Sequence, residues 1–305
     1  MEKTEKIWMN GSFVNWEDAK IHVLTHTLHY GSGIFEGLRV YGTAKGPAIF
    51  MLSDHMHRFM DSAKIHMIPL PYSQKELEAA VVRLVKINRL KEGYIRPIAF
   101  YGPGSMKLSP KGCPVNIAIA CYPFGAYLGD KGLKEGVRCK ISSWTRITAN
   151  ILPPQAKCTA NYANSILAHK EATDCGYDEA IMLDHDGNIS EGPGENVFMV
   201  HDETLISPPE ESDILRGITR HALIHLARDM GLRVVLRHIP RDEIYVGEEV
   251  FLCGTAAEIT PVREIDGRLV GDGKPGPITR KLQERLSDVV RGKDKGYLKW
   301  LTFMK

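Results

Sequence analysis

Four short phrases of the sequence combine side chains that can carry out covalent and acid–base chemistry. They begin at Ala156 (Ala-Lys-Cys-Thr), Glu191 (Glu-Gly-Pro-Gly-Glu-Asn), Ile214 (Ile-Leu-Arg-Gly-Ile-Thr-Arg) and Gly254 (Gly-Thr-Ala-Ala). The amine of Lys157 is a nucleophile and a proton carrier, and a carboxylate such as Glu191 can hold a partner in its protonated form. These residue types therefore allow amine chemistry assisted by a carboxylate.

Each of these residues also has an ordinary explanation. A lysine is usually a solvated surface charge. Glu191 could be an acid at the side of a turn, with Glu195 and Asn196 as competitors in the same phrase. Lys157 stands among small and apolar neighbours after Ile151-Leu-Pro-Pro, which favours a desolvated amine over a surface one.

Phosphate binding requires backbone N–H groups and a positive charge. Gly217 lets the chain turn closely, and Ile218 and Thr219 then open a predicted helix whose N-terminus favours an anion. Taken alone, this is an ordinary helix start. Thr255 offers a hydroxyl, and Arg58 offers a guanidinium that matches phosphate geometry.

Composition limits the class of protein. Of the 305 residues, 43% are apolar and 25% are charged, which is typical of a globular chain long enough for two domains. A net charge of +2 lacks the basic excess of proteins that bind nucleic acids or membrane surfaces. The charged segment 1–6 leads into no apolar run, and no run approaches the ~18 residues of a membrane span. We therefore expect a cytoplasmic protein.

The cysteines and histidines favour neither disulfides nor a metal site. None of the six cysteines forms a C-x-x-C pair, so reduced thiols are expected. The tracts His55-Met-His57 and His22/His26/His29 lack a convergent set of acids or cysteines, so we expect no metal.

Periodicity and turn residues predict a mixed order of helices and strands. Two short strands flank the turn at Asn10-Gly11, and the breaker-rich segment 123–133 is predicted to connect two domains. Further strands are predicted over 94–101, 115–122, 137–147, 232–239 and 249–253, a hairpin over 180–200 turning at 185–188, and helices over 53–64, 73–89, 161–173, 218–230 and from about 277. Because strict βαβ alternation is absent, we expect an α+β or barrel-like architecture rather than a Rossmann sheet.

The four phrases together resemble the sites of fold-type IV enzymes that use pyridoxal 5′-phosphate (PLP). Residues 29–39, 94–97 and 125–129 are similar to those of branched-chain amino acid aminotransferases, and the resemblance covers nearly the whole chain. Tyr-x-Arg at 94 and 96 is its most discriminating element, because relatives acting on D-amino acids or (R)-amines differ there. Pro193 and Arg216 depart from the family pattern at positions that we regard as variable.

The resemblance implies a fold-type IV architecture. Its parts are a small N-terminal α/β domain (1–122), an interdomain loop (123–133) and a larger C-terminal PLP-binding domain (134–305) with a barrel-like sheet. Lys157 is implied as the catalytic residue and covalent anchor of PLP, and Glu191 as the partner of the pyridine nitrogen. The other residues that it assigns to the cofactor are Arg58, Tyr162 at the phenolic oxygen, Gly217, Ile218, Thr219 and Thr255.

The resemblance also assigns residues to the substrate. They are Tyr30, Phe35, Gly37 and Tyr127 as pocket walls, Tyr94 with the backbone of Thr255, Ala256 and Ala257 for the α-carboxylate, and Met106 and Leu108 in a loop that reaches a neighbouring subunit. Arg96, which shares a strand face with Tyr94, is the leading candidate to pair with the side-chain carboxylate of glutamate, and Arg39 is the second.

The implied activity is ping-pong transfer of the amino group from L-leucine, L-isoleucine or L-valine to 2-oxoglutarate. The implied assembly is a homodimer, or a hexamer built as a trimer of dimers. The alternatives are a D-amino acid or (R)-amine transaminase, an aminodeoxychorismate lyase of the same fold type, and a protein that has lost catalysis and serves as a binding module.

Overall fold

The computed structural model describes residues 2–125 and 127–304; Ala126, within the predicted connection, lies outside the described residues. The strands are β1 Lys6–Met9, β2 Ser12–Asn15, β3 Gly33–Phe35, β4 Leu38–Thr43, β5 Gly46–Phe50, β6 Gly93–Tyr101, β7 Val115–Tyr122, β8 Val137–Ile141, β9 Glu179–Ile181, β10 Asn196–His201, β11 Thr204–Ser207, β12 Arg233–Leu236, β13 Glu249–Gly254, β14 Glu258–Ile265, β15 Arg268–Leu269 and β16 Leu301–Phe303. The α-helices are α1 His26–Tyr30, α2 Leu52–Ile65, α3 Gln74–Ile87, α4 Gly129–Glu135, α5 Tyr162–Asp174, α6 Ile218–Asp229 and α7 Pro277–Val290, and short 3-10 segments lie at Trp16–Asp18, Thr159–Asn161, Glu243–Val246 and Lys295–Trp300. Among these helices, none is long and apolar enough to cross a membrane.

The chain divides by contacts into two compact units whose bounds differ from the expected domains. The first unit is formed by Met1–Gly125, Ala156–Ala160 and Asp288–Lys305, and the second by Ala126–Gln155 and Asn161–Ser287. The C-terminal end groups with the first unit because β16 pairs with β5. The short segment 156–160 does so because Cys158 forms a β-bridge with Ile34.

The first unit is built on a sheet in the order β16-β5-β4-β6-β7-β1-β2, with β3 paired to β6. Its core is apolar because the strands alternate inward and outward residues and the helices α2 and α3 each present one apolar stripe. Phe59, Leu77, Ile95 and Ile117 are fully buried in this core. The strand β6, which carries Tyr94 and Arg96, therefore has rigid support.

The second unit has its own sheet, in the order β12-β11-β10-β13-β14-β8-β9, with β15 on β14. Its pairs are antiparallel except for β11–β12, β14–β8 and β8–β9. Phe198 and Phe251 stack on neighbouring central strands, with 5.0 Å between their ring centroids. The mixed α+β class is confirmed. The expected barrel-like sheet is open among the described strands, because its pairing path ends at β12 on one side and at β9 on the other.

Several predicted boundaries move for local reasons. Ser53-Asp54-His55 is the cap that the sequence predicts for the helix over 53–64. The structure does not use Ser53 in this way: α2 begins at the buried Leu52, after Met51 in the left-handed conformation. The strand predicted over 137–147 ends at Ile141, because Ser142 and Ser143 turn the chain and donate hydrogen bonds to Glu171.

The hairpin predicted over 180–200 is correct through Glu191, whose carbonyl accepts the Met182 N–H, and wrong beyond it. The Asp184 carboxylate accepts the N–H groups of Asp186 and Asn188, which closes the turn. The strand β10 that follows pairs with β11 and β13 instead of β9. The predicted connection at 123–133 includes the start of a short helix, α4.

The N-terminus of α3 gives a stability prediction with an internal control. Ser73 and Glu76 form a capping box in which each side chain bonds the other residue's backbone N–H. Ser73→Ala should lower the free energy of unfolding by about 1 kcal/mol. Ser53→Ala removes a serine at the helix start that the sequence suggests but the structure does not use as a cap, and should cost less than about 0.5 kcal/mol. Urea unfolding of both variants checks this, and equal losses would contradict it.

Candidate active site

Lys157 is held in the first unit by its own main chain. Its carbonyl oxygen accepts the Phe35 N–H at 3.0 Å, and its N–H donates to Ser62 Oγ at 3.0 Å. Thr159 Oγ1 donates to the carbonyl oxygens of Gly31 and Gly33, which fixes the following turn. The segment thus lies along β3 like a short added strand. The half-buried Lys157 amine lies 5.0 Å from the centroid of the Phe35 ring.

Arg96 and Tyr94 lie on the same face of β6, beside Phe35. The guanidinium carbon of Arg96 is 4.8 Å from the Phe35 ring centroid and 5.3 Å from that of Tyr94. Arg96 Nε is buried and has no hydrogen-bond partner among the described residues. A buried donor without a partner is costly, so this position favours a ligand that can accept its hydrogen bond.

Gly37 is required by the close approach of Tyr94. A Cβ atom at position 37 would lie 1.8 Å from Tyr94 Oη, so any larger residue would displace the ring. Burial raises the pKa of the Tyr94 hydroxyl, which keeps it protonated at neutral pH and able to donate a hydrogen bond.

Arg58 is bound to a buried carboxylate that the sequence did not single out for a role in the site. Glu36 is fully buried and accepts Arg58 Nε at 2.6 Å, Arg58 Nη2 at 3.0 Å and His55 Nδ1 at 2.9 Å. Burial raises the pKa of the Glu36 carboxyl, but Arg58 and His55 outweigh this effect, so its pKa lies well below the usual range. Burial, together with the charges of Arg58 and Lys157, lowers the pKa of His55 despite the Glu36 carboxylate, and this favours the neutral imidazole. Glu36 and Arg58 are the charged pair of this cluster.

The remaining predicted residues of the first unit fall into two places. Arg39 is the cross-strand partner of Tyr94 in the β4–β6 register, and its Nη2 donates to the Gly125 carbonyl at 3.1 Å. Tyr30 donates from its hydroxyl to the Met106 carbonyl at 2.7 Å, which ties α1 to the loop 104–108. Leu108, in that loop, is strongly exposed.

Glu191 is the central acid of the second unit. It is buried, and its Oε2 accepts hydrogen bonds from Asn196 Nδ2 at 2.9 Å and from the Leu215 N–H at 3.0 Å. Its Oε1 lies 2.8 Å from Nη2 of the equally buried Arg146. The carboxylate is therefore oriented by three donors. Glu195, its competitor in the sequence, accepts the N–H of the adjacent Gly194 at 3.0 Å.

The helix start at Gly217 is joined to Glu191 through Asn196. Asn196 Nδ2 also donates to the Leu215 carbonyl, and a Cβ at position 217 would lie 1.9 Å from Asn196 Oδ1. Ile218 and Thr219 form the first turn of α6, and Thr219 is buried. The turn Thr255–Ala257 connects β13 to β14, and Gly254 before it approaches the Gly194 carbonyl.

Tyr127 and Tyr162 share a cavity of about 360 Å³ in the second unit. Ser165, Ile166 and His169 of α5 line it, together with Pro193 and Gly194 from the turn after Glu191. The second unit thus brings both tyrosines next to the glutamate phrase.

Three residues of these clusters carried no usable pattern in the sequence. Arg146 lies in a loop of ordinary composition, and Glu36 lies inside a phrase noted only for its family likeness. Arg220 is buried in the first turns of α6 and donates to Ser207 Oγ and the Pro208 carbonyl. The roles of these three residues become visible only in the folded chain, where each is buried and bonded to a residue distant in the sequence.

Comparison with known proteins identifies the class. The family model described as amino-transferase class IV matches residues 33–265. The chain therefore belongs to the class IV aminotransferase family.

Within that family, the chain is similar to proteins that bear one name. A branched-chain-amino-acid aminotransferase of Pseudomonas aeruginosa is 46% identical over 299 residues, which cover 98% of this chain and 97% of the relative. The crystal structure of the Escherichia coli branched-chain amino acid aminotransferase matches with a TM-score of 0.97 and 44% identity, covering 99% of this chain and 100% of that one. That of the Thermobaculum terrenum branched-chain amino acid aminotransferase, in its PLP-form, matches with a TM-score of 0.94 and 37% identity, covering 100% of both chains.

Proposed function

We propose that the chain transfers the amino group of L-leucine, L-isoleucine and L-valine to 2-oxoglutarate with PLP as cofactor. The relatives that share 37–46% identity over almost the whole length are named for this activity, which favours it over the D-amino acid, (R)-amine and aminodeoxychorismate alternatives. The structural observation that carries the proposal is the Lys157 amine, fixed beside the ring of Phe35 next to Tyr94 and Arg96. The same observation argues against a binding module without catalysis.

The residues present fit PLP, which has an aldehyde, a phenolic oxygen, a ring nitrogen and a phosphate. They offer an amine on a fixed main chain at Lys157, a buried carboxylate at Glu191, a helix start at Gly217 and an oriented guanidinium at Arg58. When bound, the cofactor supplies an electron sink that stabilises a carbanion at the substrate Cα.

Each of the chain's residues then has a defined task in our proposal. Lys157 would anchor the cofactor through its amine and would carry the proton of the substrate Cα. The buried Glu191 carboxylate, oriented by Asn196, Leu215 and Arg146, would hold the ring nitrogen of the cofactor. We propose that Tyr162 holds the phenolic oxygen. The residues proposed for the phosphate are Arg58, Gly217, Ile218, Thr219 and Thr255.

The substrate pocket must accept both an aliphatic side chain and the carboxylate of glutamate. Phe35, Tyr30, Gly37 and Tyr127 supply the proposed walls. The residues proposed for the α-carboxylate are Tyr94 and the backbone of Thr255, Ala256 and Ala257. Arg96 is proposed for the side-chain carboxylate, since its buried Nε has no partner among the described residues and its plane rests on two rings.

We also propose that the site is completed in a homodimer, and that a hexamer is its further assembly. In the first unit, Leu24, Leu28, Met106 and Leu108 are exposed apolar residues on α1, the turn before it and the loop that Tyr30 binds. Such an apolar group favours an interface with a second copy. A cytoplasmic location fits the six cysteines, which all lie in the described part of the chain and form no disulfide.

Replacing Lys157 tests the proposed chemistry. Lys157→Ala should slow the half-reaction with L-leucine by about 10²–10⁴-fold or more, because both the anchor and the proton carrier are lost. Cofactor binding should persist through the phosphate contacts. Stopped-flow absorbance with L-leucine, D-leucine, an (R)-amine and L-glutamate measures this, with the exposed Lys3→Ala as control. Wild-type turnover in Lys157→Ala, or faster reaction with the D-amino acid or amine in the unaltered enzyme, would overturn the proposal.

Replacing Arg96 tests the dual specificity. Arg96→Leu should lower kcat/KM for glutamate and 2-oxoglutarate by about 30-fold or more, equivalent to ~2 kcal/mol for a lost charge-assisted bond. The half-reaction with leucine should change by less than about threefold, a factor worth only ~0.7 kcal/mol. Arg39→Leu is the matched variant and should affect glutamate less. Equal losses for leucine and glutamate would assign Arg96 to the fold or the α-carboxylate.

A charge in the exposed apolar group tests the dimer. Leu28→Asp should shift the protein toward monomers in light scattering and lower its activity in parallel, because a buried, unpaired charge opposes association. Leu269→Asp is a matched control, since Leu269 is about as exposed but lies in the second unit. A fully active monomer in either the wild type or Leu28→Asp would rule out a site shared between subunits.

A further inference from the structure

The cluster around Glu36 buries charged groups deeply in the first unit. Glu36 is 0% exposed, His55 1% and Arg58 9%. The Glu36 carboxylate accepts four described hydrogen bonds, from Arg58 Nε, Arg58 Nη2, His55 Nδ1 and the Gly37 N–H. Both of its oxygens are thus engaged, and Arg58 is held by two bonds along one edge of its guanidinium.

Stability alone is a poor reason for such a cluster. Removing two charges from water costs several kcal/mol per ion, and a buried ion pair is often no more stable than apolar residues of the same size. The surrounding core, with Phe59 in the same helix as Arg58, could accommodate apolar side chains. A carboxylate that costs this much to bury points to a task for the guanidinium that it holds.

Glu36 also occupies a junction between the proposed cofactor and substrate residues. It lies between Phe35, whose N–H bonds the Lys157 carbonyl, and Gly37, whose missing side chain admits Tyr94. Its own N–H donates to the Pro97 carbonyl at 2.8 Å, one residue beyond Arg96. The position of this backbone is therefore set from both sides.

We infer that Glu36 is a positioning residue that holds the plane of Arg58 for the phosphate of the cofactor, with His55 fixing the carboxylate in turn. This inference rests on the proposed function, in which Arg58 contacts that phosphate. A guanidinium binds phosphate best when its fork is presented in one orientation, and two bonds to Nε and Nη2 fix that orientation before binding.

The carboxylate has two opposing effects on an anion, and their balance decides the experiment. By fixing the guanidinium, Glu36 strengthens a phosphate contact; by its negative charge, it weakens the attraction of Arg58 for an anion. The inference states that the first effect is the larger one. Loss of the carboxylate should therefore weaken phosphate binding, although it removes a negative charge.

The test compares the dissociation constants of PLP and of pyridoxal, which lacks the phosphate, by absorbance titration of the full chain freed of cofactor. Glu36→Gln and Arg58→Met should each raise the dissociation constant of PLP by about tenfold or more, the loss expected for one charge-assisted bond. The constant for pyridoxal should change by less than about threefold. The double variant should be no more than about threefold weaker than Arg58→Met, because residues that act through one another are not additive.

Two further variants control the comparison. Glu36→Asp keeps the charge but is one methylene too short to retain both bonds to Arg58, so it should show the same phosphate-selective loss if Glu36→Gln does not fold. Glu264→Gln removes a carboxylate that contacts Nε and Nη2 of Arg138 through its Oε1 alone, outside the proposed site. It should leave both dissociation constants within about twofold, as distant surface changes usually do.

The outcomes separate this inference from the proposed function. An unchanged ratio of the two constants in Arg58→Met would remove Arg58 from the phosphate site and with it the basis of the inference. A selective loss in Arg58→Met but none in Glu36→Gln or Glu36→Asp would overturn the inference alone. Equal loss for PLP and pyridoxal in the Glu36 variants would show a general structural role. Tighter PLP binding in Glu36→Gln would overturn the inference, because it would show that the negative charge of Glu36 weakens phosphate binding more than its positioning of Arg58 strengthens it.

Discussion

The main-chain bonds that hold the Lys157 segment against β3 are the constraint on which the site of the first unit depends. Phe35 N–H to Lys157 O and Lys157 N–H to Ser62 Oγ fix the backbone of the lysine from two sides. A lysine side chain has four flexible bonds, so its amine can serve one reacting atom only if its Cα is fixed and a wall limits its path. The ring of Phe35 supplies that wall, and Phe35 is itself positioned by the same bond.

Each unit pairs one buried acid of its candidate site with a guanidinium. The buried carboxylates are Glu36 and Glu191. Each is bonded to a guanidinium, of Arg58 and Arg146 respectively, and to at least one backbone N–H. The two pairs differ in which group is held in place by the other. In the first, the carboxylate is saturated and the cation is the group held in place. In the second, the carboxylate is the group oriented, by Arg146 on one oxygen and by Asn196 and Leu215 on the other.

Sequence reasoning located the elements better than their partners. The turn at Asn10-Gly11 and the helix after Gly217 follow from local chemistry, and the structure contains both. The pairing of β10 with β13 and the return of β16 to β5 are long-range contacts, which no local pattern encodes. For the same reason Arg146 and Glu36 escaped notice as site residues: each matters through a residue distant in the sequence, and neither stands in a recognisable spacing.

Two glycines of the motifs, Gly37 and Gly217, are explained by what lies against them rather than by turns. At position 37 a Cβ would meet Tyr94 Oη, and at position 217 it would meet Asn196 Oδ1, although neither glycine has a positive φ. Both side chains belong to proposed site residues or their direct partners, so the missing Cβ atoms allow a polar group to approach the backbone. Alanine at either position would therefore act by displacing that polar group, which makes the two glycines part of the site's geometry and not of its flexibility.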